Sequence, residues 1–218
     1  MKIIEFYAGS CQFSGRAKQR GHETFTIDIT QFGNVDLVID AREVTVEMLP
    51  FIPDVLWFGI PCTSWSLAGI SHHRNHDLSP KSEFAKISNQ LLEHNLKLIK
   101  ELKKLNPDLI WFFENPRATL RKMPQMTGID RTTVTYCSFG DMRMKPTDIW
   151  SNDLFNLFNQ SGWKSRPMCF NGNEKCHHER APRGSRTGTQ GLKNNHERSK
   201  MPLMLIMSII RHLEKRFK

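Results

Sequence analysis

No apolar run in this chain approaches the ~20 residues that a membrane-spanning helix requires. The opening Met1-Lys2-Ile3-Ile4-Glu5-Phe6-Tyr7 is interrupted by Glu5, and no small-residue cleavage site follows it. It reads as a first strand rather than a leader, and no membrane association is expected. Cysteine is scarce and odd in number: Cys11, Cys62, Cys137, Cys169 and Cys176 have no framework spacing. That usage points to thiols in a reducing, cytoplasmic compartment rather than to disulfides. Repeats and low-complexity tracts are also missing.

What is present suits an ordinary globular protein. The 218 residues are 39% hydrophobic, enough for one domain with a core and a small appendage. The formal net charge is +9, and many of the cations gather after residue 164, beginning Lys164, Arg166, Lys175, Arg180, Arg183 and Arg186. Such an excess favours a polyanionic partner through phosphate neutralisation and counterion release.

Strand-like runs recur at Lys2–Tyr7, Thr24–Asp28, Leu37–Asp40, Val55–Gly59, Leu109–Phe113 and Thr133–Phe139. Helical stretches separate several of them. The clearest is Glu83–Lys104, where Phe84, Ile87, Leu91, Leu98 and Leu102 recur at helical spacing before Asn106-Pro107 ends the run. Alternation of this kind predicts an α/β fold, a Rossmann-like, mostly parallel sheet with helices on both faces. Residues 69–82 are polar and read as a mobile loop. Residues 164–200 are rich in Gly, Arg, Asn and His and read as an irregular basic region, and an apolar helix over Leu203–Leu213 closes the chain.

Chemistry in such folds collects at the carboxyl ends of the parallel strands. The fourth run delivers Pro61-Cys62-Thr63-Ser64-Trp65-Ser66 there, and the fifth delivers Glu114-Asn115-Pro116. A potential thiolate and a carboxylate side by side suit covalent attack on a pyrimidine ring. The first run leads through Phe6-Tyr7-Ala8-Gly9 into a helix, the usual nucleotide-binding opening, with Gly9 allowing close backbone approach. Asp28 ends the second run, where a carboxylate can bind ribose hydroxyls, and Asp40 follows the third, where it could accept from an adenine amino group.

In this order the segments resemble the DNA cytosine-5 methyltransferases, most of all the small phage-encoded members. The resemblance rests on Phe6-Tyr7-Ala8-Gly9, Asp28, Asp40, Pro61-Cys62-Thr63-Ser64-Trp65-Ser66-Leu67-Ala68-Gly69, Glu114-Asn115-Pro116, and Arg143 with Lys145. It covers roughly residues 1–150 and resumes weakly at the end. Three departures stand out. Cys11 and Gln12 replace two glycines of the first motif. No Gly-Asn-Ser-Val is recognisable near the C-terminus, where Glu197–Pro202 stands in its place, and Lys145 replaces an arginine.

The resemblance implies a catalytic domain over 1–150, a small target-recognition region over 151–200 and a C-terminal helix over 201–218 that packs back on the first. It implies S-adenosylmethionine as cofactor, held by Phe6, Ala8, Gly9, Asp28, Asp40 and Pro61, and catalysis by Cys62, Glu114 and Arg143. Cys62, near Arg143, needs a depressed pKa to supply its thiolate. Double-stranded DNA is the implied partner of a monomeric enzyme, contacted by Ser66, Arg74, Arg117, Lys145, Arg183 and Arg186. Two alternatives stay open: an RNA or other cytosine-5 modifying enzyme with the same thiolate chemistry, and an inactive DNA-binding relative. The Asp/Asn-Pro-Pro-Tyr/Phe strand end of amino-group methylation is missing. Cys169-x6-Cys176-His177-His178 offers ligand types, but its spacing fits no standard zinc finger; the favoured reading has no metal, with Cys169 packed and the histidines solvated or facing phosphate, and zinc stays open as the alternative.

Overall fold

The computed structural model describes residues 1–154, 166–179 and 199–218. Seven strands form one sheet: β1 Lys2–Phe6, β2 Glu23–Asp28, β3 Leu37–Val38, β4 Val55–Phe58, β5 Ile110–Pro116, β6 Arg131–Thr135 and β7 Pro146–Ser151. Their order is β3-β2-β1-β4-β5-β7-β6. Neighbours run parallel from β3 through β5, whereas β7 is antiparallel to both β5 and β6. This is the mostly parallel α/β sheet expected, with one strand more. The additional strand is β7, Pro-Thr-Asp-Ile-Trp-Ser, whose proline and aspartate depress strand propensity. Tertiary structure overrides that preference: Asp148 is fully buried and takes Arg121 Nε at 2.8 Å and Thr133 Oγ1 at 2.7 Å.

Strand alternation divides the core in two. Ile4, Phe6, Leu56, Phe58, Trp111 and Phe113 face one layer. There they meet Leu92, Leu98, Ile99 and Leu102 of α3, the helix Glu83–Leu105. Ile3, Val55, Trp57, Ile110 and Phe112 face the other layer. They meet α1, Gln12–Gln19, and α4, Leu203–Arg216, through Phe13, Ala17, Leu205, Ile206, Ile209, Ile210 and Leu213. The closing helix α4 packs on this face of the sheet. Phe6, Phe58 and Phe113 stand in register across three strands with ring centroids 4.8 Å apart at each step. Each such pair contributes about 0.5–1.5 kcal/mol beyond its buried area. The inward stripe of α3 is turned slightly from the expected one: Phe84 is exposed, while Ser88 and Asn95 are buried. Both polar groups are used, Ser88 Oγ donating to the Phe84 carbonyl at 2.8 Å and Asn95 Nδ2 to Tyr7 Oη at 2.8 Å.

No described helix is long and apolar enough to cross a membrane. The entry to α1 is unusual. Cys11, at the cap, is left-handed at φ 50° and makes no side-chain capping bond, a conformation that costs an L-residue roughly 1–2 kcal/mol. The capping acceptor comes instead from β1 beneath: Glu5 accepts Ser14 N at 2.8 Å and Phe13 N at 3.4 Å. Burial pushes the Glu5 carboxyl up to about 7 despite these bonds.

The unfolded chain releases that proton near pH 4.5 and the folded chain near 7. The folded state therefore loses stability as pH rises through this window, by on the order of a few kcal/mol. Glu5→Gln, which cannot ionise, should flatten this part of a plot of urea midpoint against pH. An unchanged slope would assign the dependence to another group.

Candidate active site

β4 runs apolar and fully buried to Phe58 and then releases the chain at Gly59-Ile60-Pro61-Cys62. The turn that follows is drawn in by its own carbonyls: Cys62 O accepts Trp65 N at 3.0 Å and Ser66 N at 2.8 Å. Trp65 is fully buried, and its carbonyl accepts both the amide and the hydroxyl of Thr119, at 3.1 and 2.7 Å. Gly69 closes the turn because a Cβ there would lie 2.5 Å from the Thr63 carbonyl. Ser66, expected on nucleic acid, is used inside this turn, its hydroxyl bonding Thr63 O and Gly69 N at 3.2 Å each.

Residues 69–82 are not the loose loop their polarity suggested. They form a one-turn helix α2, Ile70–His73, and return through a bridge between Arg74 and Pro80. Arg74, also expected on nucleic acid, is only 3% exposed and stacks 3.6 Å above the Trp65 ring. It donates to the Ser64 carbonyl at 3.0 Å, the Leu78 carbonyl at 3.0 Å and Asn89 Oδ1 at 3.0 Å. Its charge braces the cysteine turn from within. Composition could not reveal this, since the partners are mostly backbone carbonyls.

β5 carries Glu114 and Asn115 to opposite faces of the sheet. Asn115, fully buried, donates to the Ile60 carbonyl at 2.9 Å and so ties the end of β5 to the segment bearing Cys62. Glu114 points to the other side, where Tyr136 Oη donates to its Oε1 at 2.8 Å and Lys145 Nζ stands 3.9 Å away. Burial, with Glu114 beside it, pushes the Tyr136 phenol far above its ordinary value and keeps it a donor. Lys145 also lies 4.8 Å over the Tyr136 ring.

Lys145 and Glu114 both act electrostatically on the Cys62 thiol. Its pKa is raised, contrary to the depressed value expected: burial penalises the thiolate, and Lys145 lowers the pKa less than burial raises it. Nor is Arg143 the cation acting there. It is held by Asp141, at 2.8 Å through Nε and 2.5 Å through Nη2, and by the Lys200 carbonyl at 2.7 Å. Lys145 is the cation whose charge acts on the thiol. Arg117 is exposed beside this rim, its amide on the Pro146 carbonyl at 2.9 Å.

On the far side of the switch point, Gly9 is left-handed at φ 48° and its amide donates to Asp28 Oδ2 at 2.9 Å. Asp28 Oδ1 takes Thr30 N at 2.9 Å, so each oxygen keeps acceptor capacity. Asp40 is more fully engaged, held by Arg42 through its amide, Nε and Nη2 at 2.7–3.1 Å. That pairing holds its carboxyl below the ordinary range. Both carboxylates act on the Tyr7 phenol, which burial pushes above its usual value. The three groups therefore share one end of the sheet. Phe6 and Ala8 are buried, Phe6 wholly within the aromatic core and without surface for a ligand. Pro61 is half-buried beside Cys62. The chain entering α4 returns here too, Met201 N donating to Gln12 Oε1 at 2.7 Å. Two clefts flank that contact, of about 610 Å³ along Phe139, Asp141 and Arg143 and about 370 Å³ along Ser10, Cys11 and Arg16; neither is lined by Cys62 or Glu114.

Arg183 and Arg186 lie outside the described residues. One grouping is invisible to local spacing: Cys137, from the turn after β6 and far along the chain, joins Cys169, Cys176 and His178.

Arg74→Met should lower stability by about 1–3 kcal/mol in a denaturant titration, because buried carbonyls lose their donor. An unchanged stability together with a shallower salt dependence of DNA binding would instead make Arg74 a phosphate contact.

The sequence matches no protein-family model and no curated protein. Among solved structures, 69% of the chain aligns with 39% of the type I restriction-modification system methyltransferase subunit from Streptococcus thermophilus, at 13% identity and a TM-score of 0.41. It aligns over 61% of its length with 56% of the PH0226 protein from Pyrococcus horikoshii OT3, at 16% identity and a TM-score of 0.31. A third, an antibiotic related methyltransferase, is covered over 86% of its length by 69% of this chain, at 13% identity and a TM-score of 0.37. The chain thus spans well under two thirds of the first two.

Proposed function

We propose that this protein is a methyltransferase, and more specifically an S-adenosylmethionine-dependent DNA cytosine-5 methyltransferase. The observation that carries the reading is the pairing of Lys145 Nζ with Glu114 Oε1 at 3.9 Å, two groups whose charges both act on the Cys62 thiol. A cysteine with no chemical role has no need of a cation and a hydrogen-bonded carboxylate whose charges act on it.

The chemistry follows from these groups. Cys62 Sγ adds to carbon 6 of cytosine, which makes carbon 5 electron-rich. Lys145 offsets part of the burial penalty on the thiolate as it forms. Glu114, oriented by Tyr136 Oη, holds the ring through N3 and the exocyclic amine while negative charge develops. Loss of the carbon 5 proton with expulsion of Cys62 then restores the ring. The cofactor, when bound, supplies an electrophilic methyl group for carbon 5. Residues at the end of β1 and β2 fit it: Asp28 keeps free lone pairs for ribose hydroxyls, and Gly9 leaves the backbone open beside it. Asp40 serves the adenine amino group only if Arg42 yields part of its grip. A duplex cytosine must be flipped out first, at a few kcal/mol. The net charge of +9 supports a polyanionic partner, and the basic stretch within 151–200 is the proposed recognition region.

Duplex DNA carrying 5-fluorocytosine has no carbon 5 proton to lose, so it should trap a denaturation-resistant complex with the protein in the presence of S-adenosylmethionine. Cys62→Ala should form none, and adduct formation in that variant would overturn the mechanism. A complex formed on RNA of the same sequence but not on DNA would move the substrate to RNA while keeping the chemistry.

Lys145→Met removes the cation that lowers the thiol pKa. Its rate at pH 7 should fall about 10-fold or more and recover as pH rises, with the profile displaced to higher pH. A uniform loss across the pH range would leave Lys145 without a role at the thiol.

A further inference from the structure

We infer that Cys137, Cys169, Cys176 and His178 form a structural zinc site that fastens the 166–179 segment to the sheet. Their ligand atoms all lie within 4.8 Å of one another. A tetrahedral zinc with its usual bond lengths sets its ligand atoms about 3.3–3.8 Å apart, and Cys169 Sγ and His178 Nδ1 stand 3.5 Å apart. Three cysteines and one histidine fill four positions, which leaves none for substrate and marks the site as structural rather than catalytic.

Two further observations point the same way. Asn173 Nδ2 donates to Cys169 Sγ at 3.4 Å, the kind of outer bond that steadies a metal-bound thiolate. The exposure pattern of 166–179 is the stronger one. Within this segment only Cys169, Asn173, Cys176 and His178 are less than exposed. They are three of the ligands and the residue that bonds one of them. Met168 and Phe170 are 45% and 65% exposed, so no apolar core of the segment's own holds it together. A piece of chain this short and this polar needs a staple to hold one shape. Its other ties lead to the same rim: Cys169 N to Thr135 Oγ1 at 3.0 Å, Ser138 Oγ to the Pro167 carbonyl at 3.0 Å and Glu179 N to the Met142 carbonyl at 2.9 Å. Cys137 is the fixed point, a buried residue next to Tyr136, whose hydroxyl meets Glu114. The metal would anchor the segment through Cys137, whose chain neighbour Tyr136 holds the proposed catalytic carboxylate. The site stands whether or not methyl transfer is the activity.

The full-length protein, purified without chelator, should contain one zinc per chain by elemental analysis. Cobalt(II) substituted for it should show the intense visible absorption of a tetrahedral thiolate site. Cys169→Ser and Cys176→Ser should reduce bound metal about 10-fold or more, whereas His178→Cys, which keeps four ligands, should retain it. Asn173→Ala should weaken zinc about 10–100-fold without abolishing it. Circular dichroism of each variant confirms that the sheet is intact. Folded wild-type protein free of zinc that takes up no cobalt, a disulfide among these cysteines by mass spectrometry, or undiminished zinc in the serine variants would each overturn the assignment.

Discussion

The buried bond from Asn115 Nδ2 to the Ile60 carbonyl is the constraint on which the site depends. β4 and β5 are parallel neighbours in register through Phe58 and Phe113, but the ladder ends there and the chain beyond β4 must turn away. A donor planted on β5 catches it at Ile60, two residues before Cys62. Without that donor the carbonyl would be buried unpaired, at a cost of about 1–3 kcal/mol, and the cysteine turn would be tied to the end of β5 only through Thr119 and the Trp65 carbonyl. Alternation does the rest. The residue that points back to the turn is necessarily flanked by one pointing to the other face, so Glu114 emerges toward Tyr136 and Lys145.

Burial and charge oppose each other around this junction. The thiol is far enough inside for desolvation to prevail over Lys145, and the Tyr136 phenol is held protonated by the same low-dielectric setting. Arg74 shows the opposite arrangement: a cation almost wholly enclosed, its donors met by carbonyls and an amide oxygen, its face on Trp65. Burial lowers its pKa to about 10, and it stays charged at neutral pH. One buried cation thus shapes the turn, while another, half-buried, stands by Glu114 and acts on the thiol through its charge.

Much of the scaffold was readable from periodicity. Continuous apolar runs such as Trp57-Phe58 and Ile110–Phe113 mark strands buried on both faces, and the sheet confirms them. The helix at 83–105 appears within a residue or so of its expected bounds. Misreadings occurred where a side chain answers to something remote. β7 carries a buried aspartate because Arg121 comes to meet it. Arg74 and Ser66 look like surface groups until their backbone partners are located. Arg143 and Lys145 are two residues apart in sequence, and the bonds of Arg143 to Asp141 and the Lys200 carbonyl become visible only in the folded chain.

Local order along the chain was sufficient for the class of fold and for which strand ends carry cysteine and carboxylate, because strand and helix periods are properties of neighbouring residues. Contacts between distant segments had to be seen: the Asn115 tether, the identity of the cation at Cys62, and Cys137 reaching Cys169, Cys176 and His178. These depend on where sheet order and turns carry residues tens of positions apart, and such distances are set by packing rather than by spacing in the sequence.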